Sequence, residues 1–83
     1  MAELTPEANR AARAILKWSV RELADKAGIA FTTVNRFELS GSATDTTKRK
    51  IMAAYEAQGV EIIDQGGTGA MLRKPAVSIE GEV

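Results

Sequence analysis

The pattern of hydrophobic and polar positions in this chain changes its period at Gly59. Before this residue, apolar residues recur at spacings of three and four, the spacing of one helical face. After it, VEIID and AMLRK are short strand-like runs separated by QGGTG, which is typical of a hairpin turn. The pattern predicts a helical domain over residues 1–58, a β-hairpin within residues 59–75 and a tail at residues 76–83.

Capping residues mark the starts of the first two predicted helices. Thr5 can cap the first helix, and Pro6 fits its first position. In the stretch SVRE, Ser19 and Glu22 form a capping box that begins the second helix. Gly28 follows as its end, because glycine adopts the left-handed conformation without penalty.

A third helix is predicted from Phe31 to about Leu39, followed by the loop SGSATDT. The fourth helix begins after a cap supplied by Thr44 or Asp45, and Gly59 ends it. The positions predicted to lie in the core or beside it are Ala8, Ala11, Ala12, Ile15, Leu16, Trp18, Val20, Leu23, Ala24, Ala27, Ile29, Val34, Phe37, Ile51, Ala54 and Tyr55.

Composition limits the chemistry that this chain can perform. Its 83 residues contain no cysteine, which excludes disulfides and thiolate metal sites, and no histidine, the commonest general base near neutral pH. No carboxylate pair is placed in an evident catalytic cleft, so we expect neither an enzyme nor a need for a cofactor or metal. No apolar run has membrane-spanning length, and the N-terminus does not resemble a secretory signal, so we expect a cytoplasmic protein.

The formal net charge of zero conceals a difference between two parts of the chain. Residues 1–58 contain nine Lys and Arg against seven Asp and Glu, a charge of +2. Residues 59–83 contain two basic against four acidic residues, a charge of −2. The helical part is therefore mildly basic, which is compatible with a polyanionic partner but is a weak electrostatic signal.

The stretch RAILKWSVRELADKAGIAFTTVNRFELSG, residues 13–41, resembles the helix-turn-helix of the Cro/CI-repressor-type family, also called the xenobiotic-response-element type. The positions that match the family pattern are Ser19, Leu23, Ala24, Gly28, Ile29, Val34, Arg36, Glu38 and Gly41. The resemblance implies a mainly α fold, a four- or five-helix lambda-repressor-like domain, here followed by a C-terminal β-hairpin. It also implies binding to double-stranded DNA.

Three positions in this stretch depart from the family pattern, and two others match a pair that has a structural role in the family. Val20 stands where the family usually has a phosphate-binding glutamine. Ala30 replaces the usual Ser or Thr cap, which weakens the start of the third helix by ~1 kcal/mol. Lys17 replaces a common glycine, so a positive φ is expected there. Arg13 and Glu38 occupy positions that in the family often form a partly buried ion pair between the first and third helices.

In the family, the N-terminal part of the third helix lies in the major groove, which assigns base contacts to Phe31, Thr32, Asn35 and Arg36. Arg36 can pair with guanine through two hydrogen bonds, and Asn35 can do the same with adenine. Thr32 offers a hydroxyl and a methyl, whereas Phe31 offers only apolar surface, for example to a thymine methyl. For Phe31, a base contact, a partner contact and a ring folded back on the second helix all remain open.

Phosphate contacts are expected from helix ends and loops around the groove. The candidates are Ser19, Arg21, Thr44, Thr46, Thr47, Lys48 and Arg49. For the basic run of residues 48–50, a solvated face without a binding role is the alternative.

The predicted hairpin pairs Val60–Asp64 with Ala70–Lys74. Two strands alone are marginally stable, and apolar strands with free edges favour pairing with a second chain. We therefore predict a dimer interface, whose residues are Val60, Ile62, Ile63, Met71 and Leu72. The alternative is that the hairpin covers the helical core of a single chain.

Taken together, these features predict a cytoplasmic, nucleoid-associated transcriptional regulator that binds a short palindromic DNA site as a homodimer. The alternative is a protein-interaction module of the same fold, such as an antitoxin bound to its toxin or an adaptor bound to RNA polymerase. Phe31, Leu39 and the zero net charge favour this alternative.

Overall fold

Four helices precede a two-stranded antiparallel hairpin in the part of the chain that the computed structural model describes, residues 3–63 and 68–73. The elements are α1 Pro6–Leu16, α2 Val20–Ala27, α3 Phe31–Ser40, α4 Asp45–Ala57, β1 Val60–Ile63 and β2 Gly69–Leu72. The predicted mainly helical fold with a C-terminal β-hairpin is confirmed. The predicted tail at 76–83 lies outside the described residues.

Helices α1, α2 and α4 begin at the capping residues identified in the sequence. Thr5 Oγ1 accepts the amide of Ala8 at 3.0 Å at the start of α1. At the start of α2, Ser19 and Glu22 form the reciprocal capping box, with distances of 3.1 and 2.9 Å. Of the two candidates for α4, Thr44 is the cap, because its Oγ1 accepts the amide of residue 47 at 3.1 Å. Helix α3 begins after Ala30 without a side-chain cap, as expected.

The helix ends depend on residues in the left-handed conformation. Gly28 and Gly41, with φ of 71° and 79°, follow α2 and α3. Lys17 follows α1 with φ 60° and ψ 37°, which confirms the positive φ expected at this position. Helix α4 ends one residue earlier than predicted, because Gln58 is its C-cap and Gly59 follows with φ 81°.

The core lies between the four helices and the inner face of the hairpin. Its buried hydrophobic residues are Leu4, Ala8, Ala12, Leu23, Ala24, Val34, Phe37, Ile51, Ala54, Tyr55, Val60 and Ile62. Trp18 is half-buried beside this cluster and stacks on Tyr55 of α4, with ring centroids 5.9 Å apart. The helical domain and the hairpin therefore share one hydrophobic core.

In the described residues the hairpin pairs Val60 with Leu72 and Ile62 with Ala70, and β2 begins at Gly69, one residue before the predicted start. Directly opposed residues share a face, and Val60 and Ile62 are buried on the face toward the helices. Their assignment to a dimer interface is corrected, since their side chains already pack inside one chain. The predicted strand ends at residues 64 and 74 lie outside the described residues.

A buried polar network joins α1, α3 and α4. Arg13 and Glu38 form the expected ion pair, with Arg13 Nε 2.7 Å from Glu38 Oε2 and Nη2 2.8 Å from Oε1. Asn9 Nδ2 also donates to Glu38 Oε2, at 2.5 Å. The hydroxyl of Tyr55 donates to Asn9 Oδ1 at 2.6 Å. Every member of the network has a partner, which is what burial of polar groups requires.

Tyr55 makes the stability of the fold depend on pH in the alkaline range. Burial raises the pKa of Tyr55 well above its usual value of 10.0, while Arg13 lowers this pKa and Glu38 raises it. The unfolded chain therefore loses this proton at a lower pH than the folded chain does. The contribution to stability is fully present below pH 10 and declines as pH rises toward the folded-state pKa, by up to about 1.4 kcal/mol per pH unit.

Two measurements test this pH dependence. Because the chain has a single tyrosine, the near-ultraviolet absorbance of tyrosinate reports Tyr55 directly, and it should appear only well above pH 10. The free energy of unfolding should be measured for wild type and Tyr55→Phe across the same pH range. The decline caused by Tyr55 should appear in wild type alone. A normal tyrosine titration in the folded protein would contradict the prediction.

Candidate nucleic-acid interface

One face of α3 points to solvent and contains three of the four predicted base contacts. Thr32, Asn35, Arg36 and Leu39 follow the helical spacing of three and four, and all four are exposed. Val34 and Phe37 on the opposite face are fully buried. The helix is therefore amphipathic, and its outer face is free to meet a partner.

The buried side of α3 is fixed against α1 by an ion pair and hydrogen bonds as well as by hydrophobic packing. The carboxylate of Glu38 accepts from Arg13 and Asn9 of α1, and Arg10 Nη1 donates to the backbone carbonyl of Glu38 at 3.0 Å. Arg13 also donates from Nη1 to the carbonyl of Trp18 at 3.1 Å. These bonds fix the position of α3 against α1, so the outer face has a defined orientation.

Phe31 does not point freely outward, although the family resemblance assigned it a base contact. Its ring is half-buried and packs against the core cluster. The guanidinium carbon of Arg21 lies 4.3 Å from the ring centroid. Of the three interpretations left open, the ring folded back on α2 describes this structure. The physical reason is that the first residue of α3 directly follows the turn and lies beside the start of α2.

The start of α2 brings together two predicted phosphate contacts, Ser19 and Arg21. The amide of Ser19 is occupied, because it donates to Glu22 Oε1 at 2.9 Å. Its hydroxyl oxygen accepts the amide of Glu22, so the hydroxyl proton remains available to an acceptor. The amides of Val20 and Arg21, in the first turn, have no acceptor within the helix. This end of α2 can donate hydrogen bonds to an anion.

A shallow depression of about 410 Å³ joins α3 to the start of α4. It is lined by Thr33, Arg36, Ser42, Ala43, Thr44 and Thr47. Arg36, a predicted base contact, thus lies beside Thr44 and Thr47, two predicted phosphate contacts. The Thr44 hydroxyl is used locally, since its oxygen lies 3.0 Å from Thr47 Oγ1 and caps the helix.

The basic residues of α4 lie apart from this depression. Lys48 and Arg49 line a second depression of about 250 Å³, together with Glu3, Leu4, Asp45 and Met52. Lys48 Nζ is 3.7 Å from Glu3 Oε2, and because Glu3 is exposed to solvent this long pair has small energetic value. Thr46 is exposed on the first turn of α4 and lines neither depression.

Leu39, which in the sequence favoured the protein-interaction alternative, lies on the outer face of α3 with Asn35 and Arg36. Its side chain is 81% exposed, the most exposed large hydrophobic residue in the described part of the chain. Asn9 was missed by the sequence analysis, because a single asparagine among alanines gives no signal of a buried hydrogen-bond network.

Within residues 3–63 and 68–73, no group of three or more acidic residues is arranged to hold a metal ion. None of the helices in these ranges is long and apolar enough to cross a membrane. Comparison of the chain with models of known protein families and with curated proteins gave no match.

Proposed function

We propose that this protein is a sequence-specific DNA-binding transcriptional regulator that acts in the cytoplasm on a short palindromic site. The observation that supports the proposal is the outer face of α3, on which Thr32, Asn35 and Arg36 are exposed on a helix anchored from behind. An α-helix fits the major groove, and side chains of these types can discriminate base pairs there.

The chemistry of this face suits base edges. Arg36 has no acceptor and no ion-pair partner among the described residues, so its guanidinium can form two hydrogen bonds with guanine. The Asn35 amide can bond adenine in the same way, and Thr32 can contact a base through its hydroxyl or its methyl.

The helix starts beside α3 suit the DNA backbone. The free amides of α2 and the hydroxyl of Ser19 offer donors to one phosphate, and Thr47 offers a donor beside Arg36. The negative charge of Asp45, in the first turn of α4, disfavours an anion at that end of the helix. Lys48 and Arg49, which follow along the helix, are positively charged. We propose phosphate contacts at both helix starts, with α2 the stronger of the two.

The test is binding to the DNA upstream of the protein's own gene, at several salt concentrations, for wild type and Arg36→Ala. Wild type should bind with an affinity that falls steeply with salt. Arg36→Ala should lose about 1–3 kcal/mol of discrimination at one base pair of each half-site. Fluorescence anisotropy with labelled duplexes that carry single base-pair changes measures both quantities.

Arg73→Ala is the matched control, because it removes the same charge from an exposed residue of the hairpin, where Arg73 pairs with Glu61 at 3.4 Å. This variant should keep the base preferences of wild type. Absence of wild-type binding down to low salt would contradict the proposed function.

We further propose that the protein binds DNA as a homodimer through the exposed apolar residues of the hairpin. With Val60 and Ile62 buried, the residues left for this interface are Ile63 and Met71 on the outer face, and Leu72, which lies opposite Val60 at the exposed end of the inner face. Met71 and Leu72 are 46% and 53% exposed. Binding of two half-sites multiplies the affinity of a helix that alone contacts few base pairs.

Charged replacements at these exposed residues should separate the two chains. Met71→Lys and Leu72→Lys place a charge in the proposed interface, and we expect analytical ultracentrifugation to shift from the mass of two chains to that of one. Each variant should remain folded, since both side chains are largely outside the core. A wild type that sediments as one chain at high micromolar concentration would contradict the dimer.

One observation favours a second candidate, a protein-interaction module. Leu39 exposes a large apolar side chain at the end of the outer face of α3. A partner such as a toxin or RNA polymerase could bury it. Binding that is lost in Leu39→Ser, but insensitive to Arg36→Ala and to DNA, would favour this candidate.

A further inference from the structure

The contact between Arg21 and Phe31 bridges the starts of two helices. Arg21 is the second residue of α2 and Phe31 the first residue of α3, and the guanidinium carbon lies 4.3 Å from the ring centroid. The ring is half-buried against the core, whereas Arg21 is exposed. Because the core holds the Phe31 ring in place, contact with this ring restricts the position of the long, flexible Arg21 side chain.

This contact leaves the hydrogen-bond donors of Arg21 unused. A phenyl ring attracts the cation through its π face and offers no lone pair. No acidic side chain in the described part of the chain forms an ion pair with Arg21, although Asp25 lies one turn later on α2. The guanidinium thus remains able to bond a ligand that presents two neighbouring acceptors.

We propose that Phe31 is a positioning residue that directs Arg21 to a guanine, so that Arg21 determines specificity at one base pair of each half-site. The inference rests on the proposed function and changes the roles expected for both residues. Guanine presents O6 and N7 as two acceptors in the major groove, and a phosphate also presents two oxygens. Guanine is favoured because the ring belongs to the first residue of α3, the end expected to enter the groove.

The test is selection of binding sites from a random duplex library by the purified full chain and its variants. Wild type should select a site with a guanine at one fixed position. Arg21→Lys keeps the charge but loses the paired donors, so its preference at that position should fall about tenfold, with the salt dependence unchanged. Phe31→Leu should lose the same preference at the same position, and Phe31→Tyr, which keeps the ring, should retain it.

The double variant Arg21→Lys with Phe31→Leu separates a joint role from two independent ones. If the ring acts only through Arg21, this variant should be no less specific than Arg21→Lys alone. Thermal unfolding of each variant shows whether it is folded, and Phe31→Tyr provides the comparison with an intact ring.

Three outcomes would overturn the inference. Loss of a thymine preference in Phe31→Leu at a position that Arg21→Lys does not affect would make the ring itself the base contact. Unchanged preferences in both variants, with a salt slope reduced by about one in Arg21→Ala, would make Arg21 a phosphate contact only. A wild type that selects no site would overturn the proposed function together with this inference, whereas the first two outcomes leave that function standing.

Discussion

Alanine in place of Glu38 is expected to lower the free energy of unfolding by about 3–5 kcal/mol. The carboxylate accepts two hydrogen bonds from Arg13 and one from Asn9, and only 9% of the Glu38 side chain is exposed. Its removal leaves a largely buried guanidinium and a buried amide without their partner. Because domains of this kind are stable by about 5–15 kcal/mol in total, the loss is a large part of the whole.

Chemical denaturation, followed by the fluorescence of the single tryptophan, measures this loss. Leu39→Ala is the matched control, since it truncates the next residue of the same helix at a side chain that is 81% exposed. Its cost should stay within about 0.5 kcal/mol. If Glu38→Ala costs no more than Leu39→Ala, the ion pair does not hold α3 in place.

Ile62→Ala is expected to cost about 3 kcal/mol, because it leaves a cavity where the hairpin packs on the helices. Ile62 is 5% exposed and lies opposite Ala70 on the inner face of the hairpin. The prediction follows from the shared core, in which the hairpin and the helices stabilise each other. A helical part that is stable by itself would show a much smaller effect.

The neighbouring residue provides the comparison for this prediction. Ile63→Ala removes the same atoms from the other face of β1, where the side chain is only half-buried, and should cost less than about 1 kcal/mol. Both variants should be unfolded in urea at one fixed protein concentration, because association of two chains also adds stability. Equal losses in the two variants would contradict the assignment of the faces.

Local chemistry allowed much of the fold to be predicted from the sequence. The cap of Thr5, the capping box of Ser19 and the left-handed Lys17 each depend on residues within a few positions of one another. The Arg13–Glu38 pair came from the family resemblance, and its geometry agrees with that expectation. The mainly helical fold with a hairpin follows from the change in hydrophobic period.

Contacts between distant parts of the chain were harder to predict. The family resemblance placed Phe31 among the base contacts, but the ring turns back toward α2, where Arg21 offers a cation. The sequence left open whether the apolar residues of the hairpin form a dimer interface or cover the helical core, and the packing on the helices shows that Val60 and Ile62 are covered. In both cases the outcome depends on how two elements meet, which spacing along the chain does not encode.

The separation of the two faces of α3 has a consequence for how this protein can evolve. Glu38 and Phe37 secure the helix from behind, whereas Thr32, Asn35 and Arg36 form no side-chain hydrogen bond or ion pair with the rest of the described chain. Substitutions on the outer face therefore change the chemistry that this face offers to a partner while the scaffold keeps its stability. New binding properties can therefore arise through a few surface changes, without a compensating change in the core.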